Sequence, residues 1–470
     1  MSAIPIQPDT TPMQPDANLV DELRNQLTGE VIAPGDPAYE QARQVHAGGV
    51  DRHPAVVVRP TDATEVARVV TIARDTGLSL AIRSGGHSVA GHSVCDAGIT
   101  LDLAALRRLD VDVDQRTAWA QTGLTAGEYT LAVGVHRLAT GFGDVASVGI
   151  GGLTLGGGIG FLSRKHGLTI DSLLAAEIVT ADGQVRHVDA DHDPDLFWAI
   201  RGGGGNFGVA TRFRYRLHEV DTVVAGMLIL PATAQTIASF VSEAEAAPEE
   251  LSAVAEVLPA PPLPFLPAEV HGRSILVAAL CCTGPPDEAE QTVAAFRALA
   301  TPVLDLVERR PYADVFPPEE ELPPLVPSFH PLFLDGIDRD AAEIVLDRLA
   351  ASTAAIPMLQ LRVLGGAMRQ VPADATAYAH RQQRILAVAA TFYERRDEAA
   401  EHEAWAADLA AALPGAVSGA YVNFLGEVDE PRVRDAYPGP TWERLVEVKT
   451  AYDPTNLFRG NHNIAPRSER

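Results

Sequence analysis

Residues 83–87 read Arg83-Ser84-Gly85-Gly86-His87, an imidazole directly after two glycines. Consecutive glycines let backbone N–H groups close in on an anionic ligand. A neutral imidazole beside them can act as a nucleophile or a hydrogen-bond partner. The run extends to Gly91, so the cluster covers residues 83–91, and two further glycine clusters follow, at residues 141–160 and 202–208. Together the three hold 17 of the chain's 39 glycines. Tyr421 and Asn423 stand two apart in a segment that reads as a strand, which would put both on one face. Asn461, His462 and Asn463 form a polar run close to the C-terminus.

Several chemistries are excluded. Gly203-Gly-Gly205-Asn-Phe-Gly208 fits GxGxxG formally, but the fingerprint must open a helix. Here Val209–Leu217 alternates as a strand, so a Rossmann NAD site is not expected. There is no GxxxxGK[ST] and no HExxH. His87 and His92 lack a carboxylate at ligand spacing, so no metal is expected.

Composition bounds the rest. The 470 residues carry 37 basic and 62 acidic side chains, a formal charge of −25. That balance disfavours nucleic acid and anionic membranes as partners. Lys165 and Lys449 are the only lysines. Cys95, Cys281 and Cys282 make neither a disulfide framework nor a CxxC pair, which fits a reducing compartment. No stretch has the length of a membrane span, and the N-terminus lacks the features of a secretory signal. A cytoplasmic protein is expected.

The elements around these residues read as α/β from Pro54 onward. Ala55–Val58 is a strand, and Asp62 starts a helix with Glu65 placed as in a capping box. Val66, Val69, Val70 and Ala73 form its buried stripe, and Gly77 ends it. Leu78–Ile82 is the second strand, so the Arg83–His87 run follows a strand–helix–strand unit. Strands are also expected at Ile99–Leu103, near Ala175–Thr180 and at Val209–Leu217, with a hairpin over 111–122. From about 220 to 420 glycine clusters give way to prolines, and residues 375–412 read as strongly helical. The expected division is a lead at 1–17, a first domain at 18–218, a second at 219–424, and a segment at 425–470 that returns to the first.

The Arg83–His87 run, the Gly149–Gly160 run, Asn206-Phe-Gly-Val-Ala-Thr211 and the terminal Tyr452-Asp-Pro-Thr-Asn-Leu-Phe-Arg-Gly-Asn-His-Asn-Ile464 together resemble a known family. It is the berberine-bridge-enzyme-like branch of the vanillyl-alcohol-oxidase superfamily. The resemblance spans about residues 45–218 and 420–466. It implies an α+β fold: a two-subdomain PCMH-type FAD-binding domain, plus an α+β substrate domain whose antiparallel sheet is covered by helices. It implies FAD as cofactor, contacted by Arg83, Ser84, Gly85, Gly86, His87, Ser88, Ser147, Val148, Gly151, Gly152, Gly157, Val209, Asn461 and Asn463.

His87 matches the histidine that relatives join to the flavin 8α carbon. Many relatives add a cysteinyl link at the start of a Cys-Pro-Thr-Val-Gly run. This chain has Val145-Ala-Ser-Val-Gly149, so one covalent bond is expected and not two. Val148 matches a position where valine goes with oxidases, which implies O2 as acceptor and H2O2 as product. A dehydrogenase with another acceptor is the alternative. Tyr421 and Asn423 match the Tyr-x-Asn-Tyr/Phe motif and are the expected catalytic pair. Tyr421 would be a base if its pKa were lowered, or would orient the substrate. That substrate is a small molecule: a sugar, an alcohol, an amine or an aromatic natural product. His462 stands where relatives often have Gln. Many Asp and Glu residues lie between 220 and 420, and the sequence singles out none of them.

Overall fold

A computed structural model describes residues 17–316 and 325–467. The expected N-terminal lead lies outside the described residues except for Ala17, the first residue of the helix Ala17–Gln26. Part of the proline-rich stretch, 317–324, also lies outside them.

The strand–helix–strand unit forms as read. Val56–Arg59 leads into the helix Ala63–Thr76, and Leu80–Arg83 follows. Asp62 caps the helix by accepting from Glu65 N at 2.9 Å, and Gly77 closes it in the left-handed conformation. The capping box is only half made. The Glu65 carboxylate does not return to the cap. It binds Thr61 N and Thr28 Oγ1 instead, and so ties down the preceding turn. The Ile99–Asp102 strand pairs in parallel with both neighbours, and Glu30–Ile32 adds an antiparallel edge. Val66, Val69, Val70 and Ala73 are fully buried against this sheet.

A second, antiparallel sheet orders Leu109–Asp112, Thr117–Gln121, Val209–Arg216, Leu173–Val179 and Val185–Asp189. Its core includes Phe142, Phe207, Phe213 and Tyr215. It also takes in Trp442, Leu445 and Val448 of the helix Pro440–Tyr452, which arrives from the far end of the chain. The return begins before residue 425, because Ala420 and Val422 already pack in this core.

Between the two passes lies an antiparallel sheet of nine described strands. Successive side chains on a strand point to opposite faces, and here the two faces serve different ends. One face, with Val257, Leu359, Leu361, Ala387 and Ala389, packs under the helices Ala234–Ala246, Pro286–Arg297, Arg339–Ala350 and Ala399–Ala412. The other face is turned toward the glycine-rich half.

Two secondary-structure expectations fail. Residues 375–412 are not one helix: Ile385–Tyr393 is a strand deep in the central sheet, and the α-helix is confined to Ala399–Ala412, after a 3₁₀ turn at Arg396–Glu398. Helix-favouring Ala residues there are fully buried between neighbouring strands, so tertiary pairing overrides local propensity. Tyr421 and Asn423 do not lie on a strand either. Val422–Phe424 is a single 3₁₀ turn that Tyr421 leads into.

Candidate functional site

One cavity of about 540 Å³ lies between the glycine clusters and the free face of the central sheet. Its first wall is largely backbone. Segments 84–88, 149–152 and 204–208 contribute glycines from all three clusters, and Asn461 and His462 close the edge. Two glycines explain how the wall holds its shape. Gly85 and Gly149 pass so closely that a methyl group built on Gly85 would lie 2.2 Å from Gly149 N, and one on Gly149 2.1 Å from Gly85 N. Ser84 Oγ reinforces the crossing. It donates to Thr122 O at 2.6 Å and accepts from Gly151 N at 3.2 Å.

The third cluster is pinned from behind by the C-terminal segment. Asn206 Nδ2 donates to Gly203 O and His462 O, and its Oδ1 accepts from Ile464 N at 2.9 Å. Lys449, fully buried, donates to Asn206 O at 2.8 Å, Phe458 O at 2.9 Å and Asp453 Oδ2 at 2.7 Å. One of the chain's two lysines therefore braces a ligand loop from inside the protein.

His87 lines the cavity beside this wall. Its Nε2 is 2.9 Å from Ser147 Oγ, and its ring stacks on His46 with centroids 3.9 Å apart. His92 and His462 meet edge to face at 4.8 Å. Burial pushes His92 down to about 3 and His462 below the usual histidine range, so both are neutral at neutral pH.

The expected site residues are brought together unequally. Ser84, Gly85, Gly86, His87, Ser88, Val148, Gly151, Gly152, Asn461, Tyr421 and Asn423 all line the cavity. Ser147 reaches it through His87. Arg83 is a correction. Its guanidinium is buried and bonds Asp102 Oδ2 at 2.8 Å, Ala42 O at 2.6 Å and Gln44 O at 3.1 Å, and these partners hold it off the cavity lining. Val209 is another. Strand alternation sends its side chain into the first subdomain's core, while Gly208 and Ala210 line the cavity. Gly157 packs against Tyr378 and Tyr421, outside the lining. Asn463 also lies off the lining, and its Oδ1 has no hydrogen-bond partner within the chain.

Tyr421 and Asn423 meet despite the absence of a strand. The 3₁₀ turn brings Asn423 Nδ2 to 2.9 Å from the Tyr421 hydroxyl, and Gly158 N donates to the same oxygen at 3.0 Å. Burial raises the Tyr421 pKa, opposed by these two donors. The phenol is therefore neutral near pH 7. Its oxygen accepts from both donors and its proton is left to donate, an arrangement that suits hydrogen bonding to a ligand.

The second wall was missed by sequence reasoning. Pro327, Phe329, Met358, Val388 and Phe392 line it from the sheet. A polar chain crosses them: Asp144 Oδ2 to Arg362 Nη2 at 2.8 Å, Arg362 Nε to Gln360 Oε1 at 3.0 Å, and Gln360 Nε2 to Glu256 Oε1 at 2.8 Å. Glu256 and Gln360 are direct cross-strand partners. Burial raises the Glu256 pKa; Gln360 opposes this and Asp144 adds to it. A signal was present. Glu256 is the lone charge in Leu-Ser-Ala-Val-Ala-Glu-Val-Leu-Pro259, and Arg362 the lone charge in Ile-Pro-Met-Leu-Gln-Leu-Arg-Val363.

The cavity's chemistry fits a dinucleotide. A methyl group on Gly152 would meet no atom within 4 Å, and one on Gly205 only Asn461 Nδ2 at 4.0 Å, so both backbones face open space. The Asn461 Oδ1 is buried and has no hydrogen-bond partner within the chain. None of the three cysteines lines the cavity, and Val145 does. Among the described residues no cluster of His, Cys, Asp and Glu could hold a metal ion, and no helix is long and apolar enough to cross a membrane.

Comparison with known proteins agrees with this geometry. Residues 54–189 match the family described as FAD binding domain, and residues 420–465 the family described as berberine and berberine like. (R)-6-Hydroxynicotine oxidase of Paenarthrobacter nicotinovorans is 30% identical over 455 residues, covering 94% of this chain and 97% of that protein. A FAD-linked oxidoreductase of Dictyostelium discoideum is 28% identical over 457 residues, 95% of this chain and 97% of its own. The crystal structure of 6-hydroxy-D-nicotine oxidase from Arthrobacter nicotinovorans superposes with a TM-score of 0.84 at 27% identity, covering 94% of this chain and 98% of that one. The α+β fold, the glycine wall and these relatives converge, and the chain belongs to the berberine-bridge-enzyme-like family of FAD-linked oxidoreductases.

Proposed function

We propose that this FAD-dependent oxidoreductase is an oxidase that holds its flavin by a single covalent bond through His87. The observation that carries the reading is the placing of His87 and the valine pair, Val145 and Val148, on a cavity otherwise walled by glycine backbone. FAD, when bound, takes two electrons from a substrate C–H bond as a hydride and passes them to O2, giving H2O2. Backbone N–H groups of the three glycine clusters and the Asn461 amide would hold the dinucleotide, since the lining offers no lysine. The Ser147 hydroxyl fixes the orientation of the His87 ring. Val145 leaves no thiol for a second link. Tyr421, its oxygen held by Gly158 N and Asn423, would donate a hydrogen bond to the substrate and orient it. Substrates in range are an alcohol, a sugar, an amine or an aromatic natural product.

Two measurements test the reading. Purified protein precipitated in acid should keep its yellow colour in the pellet, and His87→Ala should release it. Flavin wholly in the supernatant of the unsubstituted protein removes the covalent bond from the proposal. Enzyme reduced without air and then exposed to it should reoxidise within seconds. Reoxidation over many minutes would make it a dehydrogenase.

A further inference from the structure

A second, much smaller cavity of about 20 Å³ lies one step along the same sheet face. Val254 pairs with Arg362 as Glu256 pairs with Gln360, and Ser252 is the next residue of that parity. Ser252, Val254 and Arg362 line its sheet side, and Ser163 and Arg164 close it from the glycine-rich half. The polar side chains around it are donors, and no carboxylate is among them. Arg164 is only 6% exposed. Its Nη1 and Nη2 donate to Ala244 O and Ala247 O at the end of the helix Ala234–Ala246, and its buried Nε has no hydrogen-bond partner within the chain. Ser252 Oγ is buried and also has none. Ser163 Oγ accepts from Gly160 N at 2.8 Å, which leaves its own proton to donate. Arg362 is paired with Asp144 at 2.8 Å.

Arg164 is a cation without a counter-ion bonded to it. Burial lowers its pKa, yet a guanidinium keeps its proton. Glu249 and Glu245 act on it only through space, and Arg369 opposes them. Glu249 is exposed, and Glu245 is bonded to Arg384 at 2.8 and 3.0 Å, so three arginines stand here against two carboxylates. The helix-end carbonyls offset only part of a full charge, and a buried charge is stable only when it is paired. We infer that this cavity is a binding site for a halide ion, chloride or bromide, held by Arg164 Nε–H and the hydroxyls of Ser252 and Ser163. A halide accepts several hydrogen bonds, donates none and supplies the missing charge. A water molecule would bring two more protons to a place already lined by donors, and a polyatomic anion exceeds the volume. The ion joins the Ser163–His166 helix of the glycine-rich half to the Leu251–Pro259 strand of the sheet. It thus braces the joint between the two walls of the large cavity, close in sequence to Gly158, whose N–H holds the Tyr421 oxygen.

The experiment dialyses the full-length holoenzyme into gluconate and titrates it with chloride or bromide at constant ionic strength. A ligand that binds only the folded state raises the unfolding midpoint with its concentration. Both halides should raise the thermal midpoint and saturate below physiological chloride, and gluconate, too large for the cavity, should not. Crystals grown with bromide should show an anomalous peak at hydrogen-bonding distance from Arg164 Nε and Ser252 Oγ. Ser252→Ala removes a hydroxyl that bonds nothing else in the chain, so the protein should fold, and its halide affinity should fall about tenfold with the lost hydrogen bond. Ser252→Val, which adds bulk to the cavity, should remove both the peak and the halide effect. A water in place of the anomalous peak overturns the inference. So does a peak with no halide-specific rise in the midpoint, which is binding at crystal concentration only. Unchanged halide affinity in folded S252A overturns it as well.

Discussion

The two walls of the cavity are built in opposite ways. The glycine wall is backbone: Gly85 and Gly149 cross at a separation no side chain would permit, and Gly152 and Gly205 leave open the space a ligand needs. The sheet wall is side chain, set on one face of a regular sheet whose other face is a close-packed core. A backbone wall cannot be altered without moving the chain. A side-chain wall can be rewritten one residue at a time while its strands keep their hydrogen bonds. Under the proposed function, the cofactor would lie on the first wall and the second would choose the substrate.

Four substitutions would break or sharpen that contrast. Gly149→Val should have the largest effect. Its side chain would collide with the Gly85 backbone, which cannot yield, and the expected outcome is no recoverable yellow protein, read from the absorbance of the purified fraction. Lys449→Met is next. It leaves Asp453, Asn206 O and Phe458 O without their buried cation. A loss of about 3–5 kcal/mol is expected in denaturant unfolding, with weaker flavin retention because the Gly203–Gly208 loop loses its brace. An unchanged unfolding midpoint would show that the C-terminal staple does not support the cofactor wall.

Tyr421→Phe sits at the seam between the walls. It leaves Asn423 Nδ2 with Leu153 O alone and Gly158 N without an acceptor. The expected cost is about 1–3 kcal/mol in stability and roughly tenfold in kcat, the loss of one oriented hydrogen bond. A rise in KM with kcat intact would show that the hydroxyl only binds substrate. Met358→Leu should have the smallest effect, below about 1.5 kcal/mol as a volume-conserving change. It should alter the order of preferred substrates and leave flavin content untouched. Loss of flavin in this variant would erase the distinction between the walls.

The unequal legibility of the walls has the same physical origin. Glycine clusters stand out in a sequence because only glycine tolerates close backbone approach, so Gly85, Gly149 and Gly152 were readable as a ligand cradle. Alternation and capping likewise marked the first α/β unit from Val56 to Arg83. Arg83 misled because its type suits a phosphate, and nothing local shows that Asp102, on the neighbouring parallel strand, and the carbonyls of Ala42 and Gln44 hold it away from the cavity. Val209 misled for a simpler reason: it belongs to the right segment but to the inward parity of its strand. The Ile385–Tyr393 strand was hidden in an alanine-rich stretch, where helical preference is strong locally and sheet neighbours decide the outcome.

The sequence by itself determined the family, the cofactor class, the glycine wall and the position of His87, because each depends on residue types at short spacing. Tertiary structure decided the rest. It joined Tyr421 to Gly158, set Lys449 behind the Asn206 loop, and linked Asp144, Arg362, Gln360 and Glu256 into one polar chain from three distant parts of the sequence. A lone charge in an apolar strand has no meaning until cross-strand register and the parity of the sheet show which cavity it faces.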